Sequence, residues 1–296
     1  MKRIDYSVAI ALVTIISLLC LGTGCGTDGE RGTDSTKIKD SIQKQNQEDL
    51  PLNISVYLDL SDRLTRPLNG PNQSDRDTAI INHIVDKIIE HAQDLKIVKC
   101  KDNFQIFFYP TPNITSISTI AKNLHFDFSN VDKKDKKRMM IDMKNNVEKG
   151  ISAIYNEALQ AGNWEGSDIW GFFSNKKVDE YCIRKGYRNI IIILTDGYIF
   201  HQNNKQKEGD AYSYILPQTL ANPNSSLLVK RNGLTDLEVM VLEVNPYEDK
   251  QRDLIEEKLK NWFEGMGITN GKFVMADTDL PSNTEHVIDN FLKSKN

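Results

Sequence analysis

Five branched apolar residues in a row, Ile190-Ile191-Ile192-Ile193-Leu194, run directly into Thr195-Asp196-Gly197. A half-exposed strand alternates apolar and polar side chains. An unbroken run of this kind therefore predicts a strand covered on both faces, the buried centre of a mostly parallel sheet. A second apolar segment, Asn53-Ile54-Ser55-Val56-Tyr57-Leu58, ends in the same way, in Asp59-Leu60-Ser61-Asp62-Arg63. An aspartate thus closes each strand at its carboxyl end, the end at which open α/β sheets take their ligands. Two isolated aspartates could simply bond loop amides there. Their shared placement, Ser61 and the tight Thr-Asp-Gly turn favour a site.

The rest of the chain fits such a sheet. Apolar patterning predicts strands at 54–60, 104–109, 189–194, 237–244 and 272–276, with a short edge strand at 124–128. Helices are predicted at 77–95, 135–160, 248–263 and 283–293, so strands and helices alternate. The expected fold class is α/β, a doubly wound, mostly parallel sheet with helices on both faces, over residues 52–296. Two connections exceed ordinary loop lengths, near 162–188 and 198–236. The first holds Trp164, Trp170, Phe172 and Phe173 and is expected to pack onto the domain rather than stand exposed for recognition. The second, rich in Asn with Pro217 and Pro223, reads as a loop insertion beside Asp196.

The N-terminus carries a different signal. Lys2 and Arg3 precede the apolar stretch from Val8 to Leu21, which ends in Gly22-Thr23-Gly24-Cys25. A charged start, a short apolar run and small residues describe a secretory signal. The run falls short of the roughly 20 apolar residues of a transmembrane helix. Cys25 after small residues resembles a bacterial lipobox, the alternative being plain secretion with a chance cysteine. Residues 1–25 are thus expected to be a lipoprotein signal peptide and 26–51 a polar tether. Lipidation of Cys25 would place the domain in the cell envelope, facing the periplasm or exterior, with membrane contact through the anchor only.

Composition excludes more than it identifies. The 296 residues are 39% hydrophobic and 26% charged with net charge −4, so no nucleic-acid partner is expected. The basic run from Lys133 to Arg138 reads as a solvated helix start or loop. Beyond the signal only Cys100 and Cys182 remain, enough for one disulfide or two free thiols. No Cys/His spacing suggests zinc. Of the five histidines (His83, His91, His125, His201 and His286), only His201 is near an aspartate of interest in sequence.

The Asp-x-Ser pattern at Asp59 and Ser61, with the distant Thr195-Asp196-Gly197, resembles the von Willebrand factor A domain and its metal-ion-dependent adhesion site. The resemblance covers roughly residues 52–293 and implies that the first and fourth strands are neighbours where strand order reverses. It also implies ligand roles for Asp59, Ser61 and Asp196. The family's separate threonine is matched by Ser152, within Gly150-Ile151-Ser152-Ala153-Ile154-Tyr155-Asn156-Glu157-Ala158-Leu159. Carboxylates, hydroxyls and water suit Mg²⁺ or another divalent cation. Arg63 stands where the motif has its second serine. Its guanidinium could pair with Asp59 or Asp196 in place of the metal, or point outward and leave a reduced ligand set.

Three functions are compatible with these residues. The first is a non-enzymatic, lipid-anchored binding module that engages a protein partner through the strand-end crevice. The second is a metal-dependent phosphoester hydrolase on a similar scaffold. The chain lacks G-x-S-x-G, Walker-type and H-E-x-x-H motifs, and Ser61 stands where a D-x-D-x-T phosphatase has its second aspartate. The third is a structural subunit of an envelope assembly with a vestigial site.

Overall fold

The computed structural model describes residues 50–162, 166–198, 207–208, 211–212, 231, 233–246, 252–269 and 271–293. All of them fall in one unit, Gln43–Asn296. The expectations for the signal peptide, Cys25, His201, Trp164, nearly all of the tether and most of the 198–236 insertion lie outside the described residues.

Six strands form the central sheet: β1 (Leu52–Leu58), β2 (Asn103–Phe107), β3 (Phe126–Asp127), β4 (Arg188–Leu194), β7 (Leu237–Val244) and β8 (Phe273–Asp277). Two further strands, β5 (Lys207–Glu208) and β6 (Ala211–Tyr212), pair with each other. The main order is β3-β2-β1-β4-β7-β8, parallel throughout except for β3. The chain moves outward from β1 through β2 to β3, then crosses to the other side of β1. β1 and β4 are therefore neighbours at the reversal of strand order, as the resemblance implied.

All seven residues of β1 are buried, and six of the seven in β4. Their side chains divide between two cores. Ile54, Val56, Leu58, Ile190 and Ile192 enter one, under helices α1 (Gln73–Asp94), α2 (Thr115–Lys122), α3 (Lys136–Ala161) and α7 (Pro281–Lys293). Tyr57, Ile191 and Ile193 enter the other, under α4 (Ile169–Ser174), α5 (Lys177–Cys182) and α6 (Arg252–Glu264). Full burial of each such side chain contributes about 1.5–3 kcal/mol relative to exposure, which is why this sequence commits to a two-faced sheet.

The aromatic 162–188 segment packs, as expected. Phe172 meets Tyr57 edge-on at a ring separation of 5.5 Å and Phe173 at 5.6 Å. Helix α1 begins four residues before the predicted start because Asn72 accepts a hydrogen bond from the Asp75 amide at 2.9 Å and caps it. Helix α2, which pattern reading passed over, is eight residues rich in Ser and Thr, with only Ile117 and Ala121 buried. Lys136 corrects the reading of the basic run. It is buried, and its ammonium donates to the Cys100 carbonyl, while its charged neighbours stay exposed.

Cys100 and Cys182 are free thiols, each fully buried in a different core on opposite faces of the sheet. Burial pushes the Cys100 thiol up to about 12 and raises Cys182 as well, so both stay protonated. Among the described residues no helix is long and apolar enough to cross a membrane.

Candidate functional site

The crevice at the carboxyl ends of β1 and β4 is built from charge. Asp59 follows the last residue of β1, and its amide donates to the Leu194 carbonyl at 3.1 Å, extending the ladder by one step. Its carboxylate is 1% exposed. It accepts from the Ser61 amide at 3.0 Å and from the Thr195 hydroxyl at 2.8 Å. Ser61 then caps a 3₁₀ turn, Asp62–Thr65, its hydroxyl accepting from the Arg63 amide. That turn sends Arg63 inward and leaves Asp62 and Thr65 in solvent.

Arg63 pairs with neither expected carboxylate. Its Nε donates to the backbone carbonyl of Asp59 at 2.9 Å, and its Nη2 meets Asp77 at 2.5 Å. Asp77 lies on α1 and is fully buried. It also accepts from the Tyr155 hydroxyl at 2.6 Å and from Gln73 at 2.9 Å. Gln73 links onward to Glu243 at 3.1 Å, and Arg76 pairs with that same carboxylate at 3.1 Å. Glu243 sits in β7 at φ +65, beside an irregularity in the β7–β8 register, so its buried carboxylate breaks the strand's regular alternation.

Asp196 has a different partner, which sequence reading missed. Arg66, just past the 3₁₀ turn, reaches Asp196 Oδ2 at 2.8 Å and the Asn245 carbonyl at 2.9 Å, and lies 5.8 Å over the Tyr198 ring. Asp196 Oδ1 accepts from the Tyr198 amide at 3.1 Å. Gly197 makes this turn at φ +91. A Cβ there would stand 3.0 Å from Val244 and 3.1 Å from Ile255.

Electrostatics follow from burial. Desolvation raises the pKa of Asp59, against the opposing pull of Arg63. Desolvation, with the nearby Asp59 charge, lifts Asp196 to about 7, against the pull of Arg66. Burial and Asp77 likewise raise Glu243. Burial opposes the charge on Arg63, but Asp77, Tyr155 and Asp59 outweigh it and hold the guanidinium protonated.

Ser152 does not join the site. It lies on the exposed side of α3, where its hydroxyl donates to the Glu148 carbonyl at 3.0 Å. The buried stripe of that helix is Val147, Ile151, Ile154, Tyr155 and Ala158. A residue next to Ile151 falls a sixth of a turn or more outside such a stripe, and Tyr155 reaches the charged network instead. Gly150, in the same matched segment, serves packing: a Cβ there would stand 2.9 Å from Leu124.

These positions decide how well a cation fits. A hard divalent ion takes six or more oxygens. With Ser152 absent, the crevice offers the Asp59 and Asp196 carboxylates and the Ser61 hydroxyl. Both oxygens of each carboxylate already accept a hydrogen bond or ion pair. Among the described residues no cluster of three His, Cys, Asp or Glu side chains has metal-site geometry. Asp196 is matched to the Arg66 guanidinium and Asp59 to the Ser61 amide and the Thr195 hydroxyl, so the residues present fit a metal ion poorly.

No family model matches the chain, and no curated protein does. Among solved structures it is similar to a conserved hypothetical protein, BatB, from Bacteroides thetaiotaomicron, at 15% identity and a TM-score of 0.36 over 82% of this chain and 100% of that one. It is also similar to the pilus adhesin SpaC from Lactobacillus rhamnosus GG, at 13% identity and a TM-score of 0.41 over 81% of this chain. The match spans only 30% of the adhesin chain. Both likenesses are too distant to bear on what this chain binds or does.

Proposed function

We propose that the chain is a non-enzymatic binding module of the bacterial cell envelope, anchored through a lipidated Cys25. It engages a protein partner at the Asp59/Asp196 crevice, as a von Willebrand factor A-like domain whose metal has been replaced by arginine. The observation that carries this reading is the Arg66–Asp196 pair at 2.8 Å, which puts a permanent cation against the aspartate a metal would need. Arg63, locked on Asp77, holds the turn that delivers Arg66 to the rim. None of the described histidines contacts either aspartate: His83, His91 and His125 bond to Asp289, Asp102 and Asn103.

A photo-crosslinking side chain at exposed Asp62, beside the crevice, tests the reading in cells that make the protein. A discrete protein adduct is expected at Asp62, none from the remote exposed Ile141, and loss of the adduct in Arg66→Glu. Equal labelling at the two positions, or an adduct indifferent to Arg66→Glu, would contradict crevice binding. The anchor is checked separately: Cys25→Ala should abolish acyl labelling and membrane partition, and a wild type without lipid would refute it.

A further inference from the structure

The sheet's two outer strands are finished differently. β3 is two residues long and turns at once into a 3₁₀ segment, Phe128–Asn130, so it offers almost no pairing edge. β8 is five residues long and, among the described residues, pairs on one side only, with β7. The Lys272 carbonyl accepts from the Val239 amide at 2.7 Å. By the alternation of a parallel ladder, the backbone of Val274 also turns to β7, while that of Phe273 and Met275 turns outward. An unpaired row of backbone donors and acceptors is a template for another strand unless it is covered or blunted.

Beside this edge lies a cavity of about 200 Å³ between β8 and α6. Ile268, Phe273 and Met275 contribute its apolar lining, and Glu256, Lys260 and Glu264 line it from α6, Glu256 shared with Arg252, which also holds Asp277 of β8. These three charges recur every four residues, a spacing of about 6 Å along a helix. Alternate side chains of an extended strand recur at about 6.6 Å. A strand lying along the groove can therefore set one side chain against each charge.

We propose that the β8 edge is a docking site, separate from the crevice, for an extended segment of another protein. That segment pairs its backbone with Phe273 and Met275 and presents basic, acidic and basic side chains at alternate positions to Glu256, Lys260 and Glu264. Backbone pairing supplies affinity and the charge order supplies selection and register.

Three capped synthetic peptides test this on the full chain by calorimetry and amide exchange: Lys-Val-Glu-Val-Lys-Val, its charge-reversed counterpart Glu-Val-Lys-Val-Glu-Val, and the first sequence N-methylated throughout. The first peptide should bind roughly tenfold more tightly than the second, the size expected of three surface ion pairs. It should slow exchange at Phe273 and Met275, and the N-methylated form should lose binding. Lys260→Glu, at an exposed position, should erase most of the preference for the first peptide. Equal affinity for both charge orders, exchange unchanged at β8, binding retained on N-methylation or no binding by any peptide would each overturn the proposal.

Discussion

The two ends of the central sheet differ in how much charge they bury. At the amino end, Asn103, Asn53 and Asn189 stand in register on β2, β1 and β4, all at most 2% exposed. Asn103 donates to Asn53 and Asn53 donates to Asn189, both at 2.8 Å, and Asn53 also reaches the Cys182 carbonyl at 2.9 Å. At the carboxyl end, Asp59, Asp77, Asp196 and Glu243 are buried together with Arg63 and Arg76, and Arg66 covers the rim. Neutral amides satisfy one another and tie strands together at little risk. Buried charges cost several kcal/mol each to desolvate and are tolerable only while every partner is present. Residues carrying that liability are the ones to associate with function.

The largest expected effect follows from breaking the charged end. Arg63→Ala leaves Asp77 buried without its ion pair and should cost about 3–5 kcal/mol in denaturant unfolding. A loss under about 1 kcal/mol would show that the Arg63–Asp77 pair does not hold this end together. The next effect is a pH dependence at this end. Asp196 titrates near 7 when folded and near 3.9 when unfolded. The folded state therefore holds a proton that the unfolded state has released. The stability this contributes is fully present below about pH 3.9 and is lost as pH rises through 7, on the order of 4 kcal/mol in all. Unfolding followed from pH 5 to 8 should show stability falling, and Asp196→Asn should flatten the slope.

Asn53→Ala, at the amino end, removes two donated bonds and one accepted bond. It should cost about 1–3 kcal/mol with the Asp196 part of the pH profile unchanged. If it altered the profile, the two ends would be coupled through β1 and the contrast between them would fail. Ser152→Ala touches neither end and should change stability by less than about 0.5 kcal/mol.

The contrast also shows what the sequence could reveal. The apolar runs of β1 and β4 announce buried parallel strands, and Asp59 and Asp196 mark their ends. Their partners are set by tertiary placement and are harder to read. Asp77 is the most legible of them, since it extends the Ile80, Ile81, Ile84 stripe by one helical step and so lies on the buried face of α1. Tyr155 shares the stripe of α3 in the same way, and that periodicity sets Ser152 outside it. Arg66 leaves no comparable trace, because its direction is fixed by a 3₁₀ turn with no pattern in sequence. Glu243 is hidden too, since its positive φ reverses the inside–outside alternation that would have placed it.

Arginine in place of a metal is the claim on which the functional reading turns. Thermal unfolding of the wild type with and without saturating Mg²⁺ or Mn²⁺ tests it most directly, because an ion stabilises only by binding the native state. The unfolding temperature should not change with either ion, and Arg66→Ser, which frees Asp196 Oδ2, should make it rise with metal. A metal-dependent rise in the wild type, abolished by Asp196→Ala, would contradict the claim and return the crevice to a cation.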